Sequence, residues 1–120
     1  MRVICEVGDG LQAVERAQEL SPNLILMDIG LPGLNGIEAA RQILKLIPES
    51  KIVFLTQETS AEVVREALNV GAWGYVVKSQ AGKELLGAIE AVLQGRRFIS
   101  HGLDGHDPAA TEGHTQFIKE

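Results

Sequence analysis

The sequence predicts a three-layer α/β/α domain in which helices cover both faces of a parallel sheet. Short apolar runs alternate with amphipathic helical stretches, four of each, along most of the 120 residues. The clearest run, Leu24–Met27, is apolar at every position, which is typical of a strand buried on both faces of a parallel sheet. Strict alternation of strands and helices favours parallel strands joined by right-handed crossovers.

Size and composition restrict the class of protein further. A chain of 120 residues suits one small domain, and its 45% apolar but only 4% aromatic residues favour aliphatic packing of helices on a sheet. The net charge of −5 argues against a broad nucleic-acid-binding surface. Met1 leads into a strand pattern rather than a signal peptide, and no apolar stretch reaches membrane-spanning length. The single cysteine, Cys5, favours the reducing cytoplasm.

The first two strand–helix units are predicted within residues 2–47. Residues 2–7 form the first strand and residues 11–20 the first helix. The second strand is Leu24–Met27, and the second helix covers residues 36–47. The inner faces of these two helices are predicted to comprise Leu11, Val14, Ala17, Leu20, Ile37, Ala40, Ile43, Leu44 and Ile47.

The remaining two units follow the same pattern. Lys51–Thr56 is the third strand, and Ser60 is the predicted cap of a helix over residues 61–70. Residues 75–77 form the fourth strand, and residues 83–94 form the last helix. The inner faces of these two helices are predicted to comprise Val63, Val64, Ala67, Leu68, Leu85, Leu86, Ile89, Val92 and Leu93.

The pattern ends near residue 100. Residues 101–120, HGLDGHDPAATEGHTQFIKE, are rich in Gly, Asp, His and Thr and carry no apolar stripe. We therefore expect a single domain over residues 1–100, followed by a flexible tail over residues 101–120.

Three strands end in polar residues that can meet at one edge of the sheet: Asp28, Thr56 and Lys78. In open α/β sheets, ligands and chemistry collect at the carboxyl ends of the strands. A carboxylate can attack phosphorus to form an acyl phosphate, and a hydroxyl and an ammonium group can bind the phosphoryl oxygens. The set therefore indicates a phosphoryl-group site.

Three segments, in order, resemble the receiver domain of bacterial two-component response regulators: DIGLPGLNGIEAARQI, the strand ending in Thr56, and AWGYVVKS. The closest resemblance is to receivers that precede LuxR-type (NarL-type) helix-turn-helix domains. It implies a flavodoxin-like, CheY-like fold. It also implies a function in a phosphorelay: accepting a phosphoryl group from a sensor histidine kinase and signalling through altered surfaces. No enzymatic activity is implied beyond the domain's own phosphorylation and dephosphorylation.

The resemblance also assigns residue roles. Asp28 matches the phosphoacceptor, Thr56 the residue that reorients towards the phosphoryl group, and Lys78 the lysine that bonds the acyl phosphate. Tyr75 occupies the aromatic switch position. The family binds Mg²⁺, for which Asp28 and the backbone carbonyl of Gly30 match two ligands.

The chain departs from the family at its beginning, because it starts at the family's second strand. The fold is thus expected to be truncated, with four strands and four helices, and without the acidic pair that completes the Mg²⁺ site; Asp9 matches a turn and does not replace that pair. We expect a weak Mg²⁺ site. Three arrangements remain open: the first strand pairs directly with Leu24–Met27, a second copy fills the gap as an exchanged dimer, or the chain is a fragment.

The missing acidic pair supports an alternative function, a degenerate receiver-like module that mediates protein–protein contacts without phosphorylation. A strand-exchanged homodimer is one form that such a module could take. A flavodoxin-type cofactor binder is disfavoured, because the loop after Asp28 carries Leu-Pro-Gly rather than a Ser/Thr-rich phosphate cradle. No DNA-binding output and no membrane contact are predicted for this chain, so transcription control would require residues beyond Glu120.

Overall fold

The computed structural model describes residues 3–4, 10–30 and 35–100, which form five strands and four helices. The strands are β1 (Val3–Ile4), β2 (Leu24–Met27), β3 (Lys51–Thr56), β4 (Gly74–Val77) and β5 (Phe98–Ile99). The helices are α1 (Gly10–Leu20), α2 (Gly36–Leu46), α3 (Ala61–Asn69) and α4 (Ala81–Leu93). A short 3₁₀ turn, Lys78–Gln80, joins β4 to α4.

The five strands form one parallel sheet in the order β1-β2-β3-β4-β5. Each strand therefore lies beside its neighbour in the sequence, and all carboxyl ends meet at one edge. Val3 pairs with Leu24 and Ile4 with Ile25. Within this chain the first strand pairs directly with β2, which is one of the three arrangements considered in the sequence analysis.

Helices cover both faces of the sheet, which confirms the predicted three-layer fold. One face packs against α1, α2 and α3 in a core that includes Ile25, Met27 and Phe54. The other face packs against α4 through Leu24, Val53 and other residues of the central strands. All four residues of β2 are buried, as expected for a strand covered on both sides.

Two predicted core leucines prove to be exposed. Leu11 in α1 is 57% exposed and Leu86 in α4 is 72% exposed. The buried positions of α4 are Ala88, Ala91 and Val92, and Leu86 lies on the opposite side of the helix. Since α4 carries apolar residues around much of its circumference, periodicity alone does not identify which stripe faces the sheet.

The sequence prediction also missed an element and several helix ends. The two-residue strand β5 was not predicted, so the described residues hold five strands rather than four. Helix α4 begins at Ala81, two residues before the predicted start. The other helix ends and the bounds of β2, β3 and β4 agree with the prediction to within a residue. Ser60 caps α3 as predicted by accepting a hydrogen bond from the Val63 amide.

The predicted tail, residues 101–120, lies outside the described residues, as does most of the predicted first strand. Among the residues that are described, no helix combines the length and the apolar character needed to cross a bilayer.

Candidate functional site

The carboxyl edge of the sheet brings together the three polar residues identified in the sequence. Asp28 directly follows β2, Thr56 is the last residue of β3, and Lys78 directly follows β4. Thr56 is in register with Val77, the residue before Lys78. Three neighbouring parallel strands thus direct a carboxylate, a hydroxyl and an ammonium group into one site.

Asp28 and Lys78 form the central contact of this site. The Lys78 Nζ lies 2.7 Å from the Asp28 Oδ2, and the two side chains are 43% and 20% exposed, respectively. The Gly30 amide donates a hydrogen bond of 3.0 Å to the Asp28 Oδ1. Both carboxylate oxygens therefore have a donor, and the shorter bond has the length of a charge-assisted pair.

These donors keep the Asp28 carboxyl ionised. Partial burial raises its pKa, but hydrogen bonds from Lys78, Gly30 and Thr56 and the positive charge of Lys78 lower it. The net pKa of Asp28 lies below its usual value of 3.8. An ionised carboxylate is the form required of an oxygen nucleophile.

Thr56 joins Asp28 to the loop after β3. Its side chain is almost fully buried. Its Oγ1 accepts a hydrogen bond of 3.3 Å from the Glu58 amide, and its hydroxyl contributes a hydrogen bond to Asp28. A movement of this hydroxyl would therefore affect both the carboxylate and the loop.

Tyr75 in β4 is fully buried and binds the same loop. Its hydroxyl donates a hydrogen bond of 2.8 Å to the Glu58 carbonyl, and its ring meets Phe54 edge-on at a centroid distance of 6.4 Å. Burial raises the pKa of Tyr75 well above its usual value of 10.0, and the negative charges of Glu58 and Asp28 raise it further. Glu58 thus contacts Thr56 through its amide and Tyr75 through its carbonyl.

Gly36 supports the site in a way that the sequence analysis did not identify. It is the first residue of α2, and its amide donates a hydrogen bond of 2.8 Å to the Ile29 carbonyl. A Cβ at this position would overlap the Asp28 carbonyl oxygen and lie 2.7 Å from the Ile29 Cα. Helix α2 can therefore begin against the backbone of Asp28 only because residue 36 has no side chain. The signal in the sequence was a glycine directly after the cap residue Asn35.

The fit of a divalent cation to this site is poor within the described residues. Mg²⁺ prefers octahedral oxygen ligands that usually include one or two carboxylates. The described ranges hold no group of three or more His, Cys, Asp or Glu side chains placed to bind a metal ion. The Asp28 Oδ2 is already paired with Lys78. The assignment of the Gly30 carbonyl as a ligand stays a prediction.

Comparison with known proteins identifies the family. The family described as "Response regulator receiver domain" matches residues 1–90. The transcriptional activator protein ExaE of Pseudomonas putida is 36% identical over 98 residues, which cover 82% of this chain and 46% of ExaE. The uncharacterized transcriptional regulatory protein YxjL of Bacillus subtilis strain 168 is 41% identical over 95 residues, which cover 79% of this chain and 44% of YxjL. The chain thus spans slightly less than half the length of these curated relatives.

A solved structure agrees with these matches. The crystal structure of a LuxR-family two-component response regulator from Aurantimonas sp. SI85-9A1 is 34% identical, with a TM-score of 0.76. The alignment covers 96% of this chain and 77% of that chain. The similarity therefore extends over the whole sheet with its helices.

Proposed function

Because this chain belongs to the response regulator receiver domain family, we propose that it accepts a phosphoryl group on Asp28 from a sensor histidine kinase. The observation that carries the proposal is the 2.7 Å contact between Lys78 Nζ and Asp28 Oδ2, with Thr56 beside it. An ionised carboxylate, an ammonium group and a hydroxyl are the groups that phosphoryl transfer to a carboxylate requires.

The proposed transfer is a substitution at phosphorus. An Asp28 oxygen attacks the phosphorus of a phosphohistidine, the P–N bond breaks, and its electron pair stays with the departing imidazole. The product is an aspartyl phosphate, a mixed anhydride. The Lys78 ammonium then binds a phosphoryl oxygen instead of the free carboxylate, and the Thr56 hydroxyl donates to another.

We propose that Tyr75 reports this change to the surface. If the Thr56 hydroxyl turns towards the phosphoryl group, the Glu58 amide loses its 3.3 Å contact with the Thr56 Oγ1. The Tyr75 hydroxyl donates a hydrogen bond to the Glu58 carbonyl, so a movement of the loop also displaces the acceptor of the Tyr75 side chain. A shift of the loop therefore alters the surface formed by the loop and the beginning of α3.

The second candidate function is a receiver-like interaction module that works without phosphorylation. The observation that favours it is the poor metal site, because the described residues form no group of three or more His, Cys, Asp or Glu side chains placed to bind a metal ion. With such a site we expect slow uptake of phosphate from small donors. The two functions differ in whether Asp28 is ever modified.

Modification of Asp28 by acetyl phosphate, followed by intact-protein mass spectrometry, distinguishes them. We expect slow and incomplete addition of one phosphoryl group, and none in the matched variant Asp28→Asn, which keeps the shape but lacks the nucleophile. Absence of any addition to the unchanged protein at saturating donor would reject phosphoacceptance in favour of the interaction module. Rapid, stoichiometric, Mg²⁺-dependent addition would instead reject the expected weakness of the metal site.

The relatives suggest how the signal is used. ExaE and YxjL are named as transcriptional proteins, and each is about twice as long as the matched region. We propose that the domain regulates transcription through a DNA-binding region outside this chain, and that it acts in the cytoplasm with its kinase. Homodimer formation stays a prediction, which light scattering on the purified protein would test directly.

A further inference from the structure

Ser100 places a hydroxyl group in the protein interior. Within the described ranges, Ser50 and Thr56 are the other serine and threonine side chains buried to a similar degree. A buried hydroxyl is unfavourable unless its hydrogen bonds are satisfied. Its partners therefore indicate what Ser100 does.

The Ser100 hydroxyl joins two elements next to the phosphoryl-group site. It accepts a hydrogen bond of 2.9 Å from the Val77 amide at the end of β4. It donates a hydrogen bond of 2.6 Å to Glu84 Oε1 in the first turn of α4. The Ser100 amide also donates to the Tyr75 carbonyl at 2.8 Å. The hydroxyl thus uses both its acceptor and its donor capacity, and the bond to Glu84 has the length of a charge-assisted one.

In the sequence, Lys78 lies between Val77 and Glu84, the two residues that the Ser100 hydroxyl binds. It directly follows Val77 and opens the 3₁₀ turn Lys78–Gln80, which leads into α4. Neither this turn nor the start of α4 has a side-chain cap, and Lys78 itself is exposed. Burial therefore contributes little to holding this turn in place. Ser100 binds the chain before the turn through Val77 and the helix after it through Glu84.

We propose that Ser100, together with Glu84, is a positioning residue that holds Lys78 in contact with Asp28. Ser100 acts on Lys78 through the Val77 amide before it and through the Glu84 side chain after it. The proposal rests on the proposed function only for the importance of the Lys78–Asp28 contact in phosphoryl transfer. The contact itself can be tested without phosphorylation.

The reactivity of lysine side chains towards acetic anhydride, measured residue by residue by mass spectrometry, tests the proposal. In Ser100→Ala, we expect Lys78 to react about twofold to fivefold faster, because an ion pair of this exposure protects its amine by about that factor. Lys51 serves as an internal reference for intact packing, since its Nζ contacts the Val92 carbonyl at 3.3 Å and the Trp73 ring at 4.5 Å. Its reactivity should stay unchanged.

Ser50→Ala is the matched control. Ser50 is buried like Ser100, and its hydroxyl donates to the Pro22 carbonyl, near the amino ends of β2 and β3. Its removal should leave the reactivity of Lys78 unchanged. If Ser100→Ala and Ser50→Ala affect Lys78 equally, or if Lys51 becomes reactive together with Lys78, Ser100 is only a structural residue and the proposal is wrong.

Variants of Glu84 keep the test valid if Ser100→Ala does not fold. Glu84→Gln retains an oxygen that can accept from Ser100, and should preserve the slow reaction of Lys78. Glu84→Ala removes the acceptor and should accelerate it. Equal reactivity of Lys78 in these two variants would contradict the proposal.

A second measurement separates this proposal from the proposed function. With acetyl phosphate, we expect Ser100→Ala to be modified at Asp28 roughly tenfold to a hundredfold more slowly, because small displacements of reacting groups have effects of that size. If the unchanged protein is never modified, the phosphoacceptor function fails, and lysine reactivity alone still decides the role of Ser100. If it is modified and Ser100→Ala is modified equally fast, the positioning role fails.

Discussion

At the scale of single residues, the site depends on the Lys78 ammonium group. It lies 2.7 Å from Asp28 Oδ2 and, with the donors from Gly30 and Thr56, outweighs the effect of burial on the carboxyl. These contacts therefore favour the ionised form of the Asp28 carboxyl. The shifted pKa values of Asp28 and Tyr75 lead to two predictions about how stability depends on pH.

The first concerns Lys78→Met. The pKa of Asp28 is lower in the native state than in the unfolded state. The ionised carboxylate therefore contributes its full stabilisation above the unfolded-state pKa of 3.8, and this stabilisation is lost as pH falls through the native pKa. Removing Lys78 removes two of the effects that lower the pKa. We expect the pKa of Asp28 to rise, and the variant's deficit in unfolding free energy to be present at neutral pH and to shrink in acid. Urea denaturation at a series of pH values measures this.

Arg41→Met is the control for the Lys78 variant. Arg41 Nε lies 3.4 Å from Glu38 Oε1 in a more exposed, helical pair. Such pairs contribute little, so its removal should change stability by about 0.5 kcal/mol or less at any pH. A Lys78 variant with the same small, pH-independent effect would contradict the assigned role of the ion pair.

The second concerns Tyr75→Phe. Loss of the hydrogen bond to the Glu58 carbonyl should cost about 1 kcal/mol near neutral pH. The native pKa of Tyr75 is raised. The stabilisation by its hydroxyl is therefore complete below the pKa of the unfolded state, 10.0, and is lost as pH rises above that value. Unfolded Tyr75 ionises there while the native ring stays protonated, so the unchanged protein loses stability that the variant does not.

Alkaline unfolding measures the Tyr75 prediction. The stability difference between the two proteins should narrow as pH rises above 10.0. Since the chain has one tyrosine, its absorbance follows the ionisation directly. Parallel alkaline unfolding curves would show that the buried hydroxyl does not resist ionisation.

At the scale of secondary-structure elements, the site depends on how closely α2 approaches β2. Asn35 caps α2 by accepting a hydrogen bond of 2.9 Å from the Glu38 amide. The Gly36 amide donates a hydrogen bond to the Ile29 carbonyl. Residue 36 lies so close to the backbone of Asp28 that no side chain would fit there. The contacts that begin α2 therefore also fix the backbone of Asp28 at the end of β2.

Gly36→Ala tests this approach. The added methyl group would meet backbone atoms, which cannot rotate away, so we expect a loss of about 1–3 kcal/mol in unfolding free energy. Gly87→Ala is the matched control, because Gly87 lies inside α4 with no atom within 4 Å of the added carbon. That variant should gain about 0.5–1 kcal/mol from its better helix propensity. Denaturation of both variants measures the difference, and equal effects would contradict the close approach.

At the scale of the whole molecule, the two faces of the sheet are covered by different numbers of helices, and its central and edge strands differ in pairing. Three helices cover one face, while α4 covers the other. The central strand β3 pairs with β2 through residues 51–54 and with β4 through residues 53–56, whereas β5 is a two-residue strand that pairs with β4. Stability should therefore decrease from β3 towards the edges of the sheet.

Amide hydrogen exchange measures this gradient. The amides of β3 should exchange most slowly, through unfolding of the whole domain, and those of β5 faster through local opening. Protection of β5 equal to that of β3 would mean that the edge unfolds only with the core, contrary to this expectation. Ser100 directly follows β5 and binds the Val77 amide next to Lys78, so its amide exchange measures how firmly this edge is held beside the candidate site.

The accuracy of the sequence prediction followed the strength of local patterns. β2 and β3 were predicted with their observed bounds, because continuous apolar runs between turn residues allow one interpretation. β5 was missed because two residues carry no period. Leu86 was assigned to the core because α4 is apolar around much of its surface, and only packing selects Ala88, Ala91 and Val92.

The sequence by itself determined the alternation of strands and helices, and hence the edge at which Asp28, Thr56 and Lys78 meet. The alternation is a local property of the sequence, and it predicts the common edge because parallel strands place their carboxyl ends together whatever the details of packing. The tertiary structure decided the contacts between residues distant in the chain. The pairing of β1 with β2, the contact of Gly36 with Asp28, and the bonds from Ser100 to Val77 and Glu84 are of this kind. Such contacts depend on the three-dimensional juxtaposition of separate elements, which no periodicity encodes.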